Sequence, residues 1–350
     1  MEAYMTKEVI DLESIKPLKK PNKAQLFTLI IYTQNKYRTE YFHEILASVI
    51  KQFPCRVISL EHSSNDEEKV FKINSTQKFN DHQKKIEGEI ISITFSKEFE
   101  ERASFCITPY LIADLPIYVI WGKDPTIENP ILNDVKKYCT KLIVDASCTP
   151  HLQNFSQKIS EEVCQSNLNL VDMNWAQMTG WRDTFKQVFD TKEKITEIQK
   201  AKTIEISFWS KHSAASINRS IQAIYLQGWI AARLNYKFVS RKEEDGKIFI
   251  QYKSKKNDVT FILTSKSKTK NSQEGIFSIN VTTSSHTLYE MNVVDDKVKV
   301  VVTTNEKCDL PFFLSLPHYK RNSQFLNEIF FQRISPQYCQ MLNMIKQSNW

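Results

Sequence analysis

The side chains of this 350-residue chain that could do chemistry are few and scattered. Asp145 and Ser147 follow the apolar run Leu142-Ile143-Val144, at a strand end where α/β sheets commonly present functional groups. They are the candidates for holding a small ligand. No histidine is tied to Ser147 by sequence. There is no Gly-x-Ser-x-Gly, no His-Glu-x-x-His and no close carboxylate pair in an apolar frame. His212, His286 and His318 stand alone and read as surface or satisfied polar residues. His318-Tyr319-Lys320-Arg321 could take a phosphate, although a loop at a helix start explains it as well. Seven cysteines (55, 106, 139, 148, 164, 308, 339) form no Cys-x-x-Cys pair, and their odd number argues against a full disulfide framework. They read mainly as small buried hydrophobes. Cys148 and His151, with Cys139 upstream, fall short of the four ligands of a tetrahedral site, so no metal is expected.

The residues suited to contact are more concentrated. Val171 to Arg182 holds two tryptophans, an arginine and helix-start signals, with Asp172 or Asn174 able to accept from an open backbone N–H. Trp175, Met178, Trp181, Phe185 and Val188 recur at steps of three and four, the spacing of one helical face. Gly180 inside that pattern costs about 1 kcal/mol against alanine. The segment reads as an amphipathic helix joining two halves of different pattern.

The elements that must position these residues differ between the halves. The first twenty or so residues are mixed in charge and include Lys-Pro-Leu-Lys-Lys-Pro, the composition of a mobile lead-in. Leu26 to Thr33 reads as a buried strand, and residues 36–51 carry a clean helical stripe at 37, 41, 42, 45, 46, 49 and 50. A strand at Val57 to Leu60 precedes a polar stretch, 61–85, expected as a loop or insertion. Strands at 89–95, 117–121 and 142–144 then alternate with helices near 101–113, 131–138 and 150–164. That alternation predicts an α/β domain with a largely parallel sheet. Its layout is Rossmann-like, but no two of the six glycines lie within three positions of each other. Both the dinucleotide fingerprint and the P-loop are therefore excluded, and no cofactor is expected.

The second half predicts a strand at 204–208, a helix at 214–234 and then a run of alternating strands. Gly228 falls on the face of Ile221, Ile224 and Tyr225, as if packed closely on a sheet. Phe238 to Arg241 is brief; 248–252, 259–263, 277–281, 289–293 and 298–302 each show one apolar face. Asp245-Gly246, Ser284-Ser285 and Asp295-Asp296 mark turns. Two helices, near 323–333 and 336–346, close the chain. The pattern is α+β, an antiparallel sheet covered by helices on one face. The expected domains are a lead-in at 1–22, an α/β domain at 23–168, a connecting helix segment at 169–192 and an α+β domain at 193–350.

Composition bounds the function. Hydrophobic residues at 41% and charged residues at 25% are ordinary for a globular protein. The longest apolar run, Leu26 to Tyr32, is too short to span a bilayer and lacks a cleavage site after it, so a cytoplasmic protein without membrane contact is expected. Net charge is +7, and residues 237–270 hold ten Lys/Arg against four Asp/Glu. Such a run guards a sheet edge or attracts an acidic protein. No nucleic-acid motif accompanies it.

Several segments, in order, resemble the glucose-6-phosphate dehydrogenase assembly proteins, the bacterial OpcA family. They are Pro54-Cys55-Arg56-Val57-Ile58; Asp114-Leu115-Pro116 through Trp121-Gly122-Lys123-Asp124-Pro125; Leu142 to Ser147; Val171 to Arg182, running on to Phe189-Asp190; and Gln227-Gly228-Trp229-Ile230-Ala231-Ala232-Arg233-Leu234. The resemblance covers about residues 40 to 345. Departures are Ile120-Trp121 where the family commonly has paired tryptophans, the inserted Ala146, and Gly180 in place of proline. The resemblance implies a non-catalytic partner that binds glucose-6-phosphate dehydrogenase. It suggests Trp181 and Arg182, then Trp121 and Asp114, then Trp229 and Arg233 as partner-binding candidates. The alternative is a sugar-phosphate-binding enzyme or sensor using Asp145 and Ser147.

Overall fold

A computed structural model describes residues 25–33, 36–63, 70–80, 85–165, 169–210, 221–254, 256–267, 275–316, 323–333, 335–348 and 350. The lead-in, His212, the first part of the 214–234 helix and His318 to Arg321 lie outside the described residues. In chain order the elements are β1 (Phe27–Thr33), α1 (Lys36–Gln52), β2 (Cys55–His62), β3 (Phe71–Asn80), β4 (Lys85–Phe95), α2 (Glu100–Ile107), β5 (Ile117–Trp121), α3 (Pro130–Lys136), β6 (Lys141–Val144), α4 (Leu152–Gln165), β7 (Asn169–Asp172), α5 (Met173–Gln177), α6 (Thr179–Val188), α7 (Lys192–Ile198), β8 (Ala201–Ser210), α8 (Ile221–Arg233), β9 (Lys237–Glu244), β10 (Lys247–Lys253), β11 (Asp258–Ser267), β12 (Gly275–Thr283), β13 (Leu288–Val294), β14 (Lys297–Thr303), β15 (Phe312–Ser315), α9 (Ser323–Phe331) and α10 (Pro336–Gln347).

The chain forms two compact units. The first comprises 1–149, 165–173 and 321–333; the second comprises 150–164, 174–320 and 334–350.

In the first unit a seven-stranded sheet runs β3-β4-β2-β1-β5-β6-β7. All pairs are parallel except β3 with β4. Every residue of β1 is buried, as a near-continuous apolar run at the centre of a parallel sheet requires. The stripe of α1 buries Phe42, Ile45, Leu46, Val49 and Ile50. Asn129 starts α3, its Oδ1 accepting from the N–H groups of Ile131 and Leu132 with Pro130 at the first turn. The stretch expected as a loop at 61–85 instead contributes β2's end and β3, an antiparallel strand added at the sheet's edge. The helix expected over 101–113 stops at Ile107 and passes into a tight turn through Pro109, because proline cannot supply the next backbone N–H.

Helix α9 belongs to this unit through Phe330, whose ring stacks on Phe27 at 5.3 Å. Lys141, 2% exposed, donates from Nζ to the carbonyls of Ile329, Phe330 and Gln332 at 2.7–3.1 Å. A cation there satisfies the orphan carbonyls of a helix C-terminus and suits its dipole.

The second unit carries an eight-stranded sheet, β15-β14-β13-β12-β8-β11-β10-β9. It is antiparallel apart from β8 with β11. Thus β8 splits the run of later strands, pairing with β11 on one side and β12 on the other. Alternation along the strands buries Ile204, Ile206, Phe261, Ile279, Met291 and Val300 on one face. Asp245 and Gly246 both have positive φ, the geometry of a tight two-residue hairpin. Gly228 of α8 does not meet a sheet, as sequence suggested: a Cβ there would lie 3.0 Å from Ile345 of α10. The two helices pack closely at that point.

Candidate functional site

Two places carry the residues that sequence singled out. The first is the carboxyl edge of the parallel sheet. There β1 has β2 on one side and β5 on the other, so strand order reverses between β1 and β5. Open α/β sheets place ligands outside such a switch point. Here it is filled with protein. Tyr32 and Trp121 stack at 4.4 Å, and Trp121 is fully buried. The backbone at Gly122 lies so close to α1 that a Cβ would sit 2.5 Å from the Phe42 ring and 2.6 Å from the Tyr32 carbonyl. Burial, then the neighbouring Glu100 carboxylate, pushes the Tyr32 phenol up. Its hydroxyl donates to Glu100 at 3.3 Å, and Asn129 Nδ2 donates to the same oxygen at 2.5 Å. Lys123 Nζ stands 6.0 Å from the Tyr32 ring centre. Sequence reasoning named Trp121 as a partner-binding candidate and placed Phe42 on the α1 stripe, but it overlooked Glu100 and Asn129.

At the end of β6, Asp145 is 2% exposed and its Oδ1 accepts from the Ser147 N–H at 2.9 Å. The carboxylate thereby shapes the turn through Ala146 to Cys148, and Ser147 itself is exposed.

The second place is the tryptophan-arginine segment. It is two helices, α5 and α6, broken at Met178 rather than continuous. Arg182 bridges the break: Nη1 donates to the Trp175 carbonyl at 2.5 Å and Nη2 to Thr179 Oγ1 at 3.0 Å. Its guanidinium carbon lies 3.8 Å from the Trp175 ring centre, a cation–π geometry. Trp181 is 1% and Arg182 6% exposed. Trp229 is buried on α8, donating from Nε1 to Gln337 at 3.1 Å and meeting the Phe185 ring edge-on at 5.9 Å.

Of the six partner-binding candidates, Trp121, Trp181, Arg182 and Trp229 are therefore interior side chains. Asp114 and Arg233 are exposed. Asp114 sits at φ 67° in the turn before β5. The second unit does bring Arg182 against Trp175, which meets Tyr338, and Trp229 against Phe185.

Residues 47–161 match the model described as the glucose-6-phosphate dehydrogenase subunit N-terminal domain, and residues 168–309 the corresponding C-terminal domain. The chain belongs to the OpcA family. A protein of Nostoc punctiforme, provisionally named OxPP cycle protein OpcA, is 26% identical over 163 residues, 45% of this chain and 32% of that protein. One of Synechocystis sp. bearing the same name is 26% identical over 198 residues, 55% of this chain and 40% of that protein. The matches thus span less than half the length of these curated relatives.

Among solved structures, the chain is similar to KijD10, a 3-ketoreductase from Actinomadura kijaniata in complex with TDP-benzene and NADP. That mutant structure has TM-score 0.52 and 10% identity, covering 92% of this chain and 96% of that one. An oxidoreductase from Sinorhizobium meliloti gives TM-score 0.50 and 9% identity, covering 93% and 87%. At such identity the likeness is one of fold. The residues of this OpcA-family chain do not fit a dinucleotide at the switch point. No glycine stands between Thr33 and α1, where the turn after the first strand must let backbone approach a pyrophosphate. No helix among the described residues is long and apolar enough to cross a membrane.

Proposed function

We propose that this chain is a non-catalytic assembly factor and allosteric activator of glucose-6-phosphate dehydrogenase, working in the oxidative pentose phosphate pathway of the cytoplasm. The observation that carries the reading is the ordered match of both halves to the two dehydrogenase-subunit domains of the OpcA family. The packed switch point supports it, since a dinucleotide-fold unit filled by Tyr32, Phe42 and Trp121 is built to hold shape. The sugar-phosphate alternative has no comparable support, because Asp145 is engaged in its own turn.

An activator must bind the active or assembled state of its target more tightly than the other. A tenfold preference is about 1.4 kcal/mol of coupling. Asp114 and Arg233 are the candidates a partner can reach directly. Trp181, Arg182, Trp121 and Trp229 then act by fixing the shape beneath the surface. The test is NADPH production by the cognate dehydrogenase across a titration of this chain, with native mass recorded on the same mixtures. Saturable activation with a co-migrating complex is expected. Two folded proteins that neither associate nor change rate would refute the proposal.

A further inference from the structure

The first unit holds a buried ion pair apart from the switch point. Arg56 on β2 and Glu89 on β4 stand directly opposite each other in register and are 8% and 2% exposed. Arg56 Nε and Nη2 both donate to Glu89 Oε2, at 2.9 and 2.8 Å. Glu89 Oε1 is buried with no partner among the described residues. Such a pair adds little net stability over apolar side chains of similar volume, and its best-attested use is to fix one arrangement among several. The remaining donor shows what is fixed here. Arg56 Nη1 donates to the Tyr110 carbonyl at 2.9 Å, at the end of the tight turn that follows α2.

Tyr110 leads into a second turn. The Leu115 N–H donates to the Ile112 carbonyl at 3.4 Å, with Ala113 and Asp114 between them. One residue on, the Pro116 carbonyl accepts from the Thr28 N–H of β1 at 3.0 Å. The turn is thus tied to the sheet on both sides, by Arg56 before it and by β1 after it. Asp114 takes φ 67° at a position where glycine meets no strain. The residue is exposed, and its carboxylate makes no hydrogen bond or ion pair among the described residues. An unpaired carboxylate on a turn held at both ends fits a guanidinium or an ammonium group of another protein.

We propose that Arg56 is a positioning residue, clamped to Glu89, that holds the 110–116 turn so that Asp114 meets an arginine or lysine side chain of the dehydrogenase; this rests on the function proposed above. Arg56 is buried and touches no partner itself. It acts through the Tyr110 carbonyl, sparing the complex the entropy of ordering the turn.

The experiment titrates wild type and variants into the dehydrogenase, reading half-activation concentration at low and high salt, native mass, thermal midpoint and amide exchange of 111–116. Asp114→Asn removes the charge, and asparagine tolerates the positive φ. Arg56→Met with Glu89→Leu replaces the ion pair by apolar groups. Arg56→Lys keeps a cation for Glu89 but lacks the fork that also reaches Tyr110, and it serves if the paired variant does not fold. Asp114→Asn is expected to raise the half-activation concentration about tenfold, the loss of one charged hydrogen bond, at an unchanged midpoint and by less as salt rises. Both Arg56 variants should raise it as well and quicken exchange of 111–116. Added to the paired variant, Asp114→Asn should cost less than it does in wild type. An Asp114→Asn curve equal to wild type would overturn the contact. Arg56 variants that activate like wild type, or costs that add in full, would overturn the positioning role. Either result leaves the activator reading standing. Absence of any complex with wild type would overturn that reading and this inference with it.

Discussion

Replacing Arg182 by alanine should cost stability before it costs recognition. Arg182 is 6% exposed, and its guanidinium donates to the Trp175 carbonyl and to Thr179 Oγ1 besides facing the Trp175 ring at 3.8 Å. Hydrogen bonds to a charged group contribute about 1.5–3 kcal/mol each, and a desolvated cation–π contact about 2 kcal/mol. Returning a buried cation to water recovers several kcal/mol of that. The loss of the bridge across the α5–α6 break should therefore come to about 2–4 kcal/mol. For a unit of this size each kcal/mol moves the midpoint by about 2–4 °C, so Arg182→Ala should melt roughly 5–15 °C below wild type. Arg182→Lys should fall between, since an ammonium is a point charge without the planar fork. The assay is thermal unfolding followed by tryptophan fluorescence, with dehydrogenase activation measured below the melting range. A midpoint within about 2 °C of wild type would refute the structural role. If activation were lost at the same time, Arg182 would be the surface anchor that sequence suggested.

Gly122→Ala should destabilise the first unit by about 2–3 kcal/mol in denaturant unfolding, as overpacking against a fixed neighbour does; Phe42→Ala should not rescue it, because the Tyr32 carbonyl still lies 2.6 Å from the new Cβ. Lys141→Met removes the cation from the three carbonyls at the end of α9, and hydrogen exchange of 323–333 should quicken. Burial lowers the Lys141 pKa to about 8; the unfolded chain then holds more protons between pH 8 and the ordinary lysine value, so wild type should gain stability relative to Lys141→Met as pH rises through that window, by at most about 1.4 kcal/mol per pH unit. Burial pushes the Cys55 thiol up to about 12, so iodoacetamide at neutral pH should label exposed Cys308 in the folded protein and reach Cys55 only on unfolding, read by peptide mass.

Much of the fold is legible in the chain where burial leaves a periodic trace. The α1 stripe, the near-continuous apolar run of β1 and the alternation of β10 to β14 each repeat the burial that the structure shows. What escapes lies where burial is slight or spacing ambiguous. β3 is a polar edge strand held through a single neighbour, β4, and an edge needs little apolar content to pair. β15 is only four residues long, with Pro311 before it and Pro317 after it. A single-residue break at Met178 leaves the steps from Trp175 to Val188 unchanged, so periodicity cannot separate one helix from two. The place of β8 between β11 and β12 depends on long-range pairing that no local pattern encodes.

The burial of four of the six partner-binding candidates was hidden from sequence for a related reason. Tryptophan and arginine are the residues of interface hot spots, yet they are also the largest side chains a core can lock in place, and sequence does not say which face of a helix is covered. Here Trp181, Trp121 and Trp229 are covered, and Arg182 is held by a carbonyl, a hydroxyl and a ring. A side chain so enclosed cannot touch a partner, but it can dictate the surface that does. Under the function proposed above, recognition falls to exposed groups such as Asp114 and Arg233.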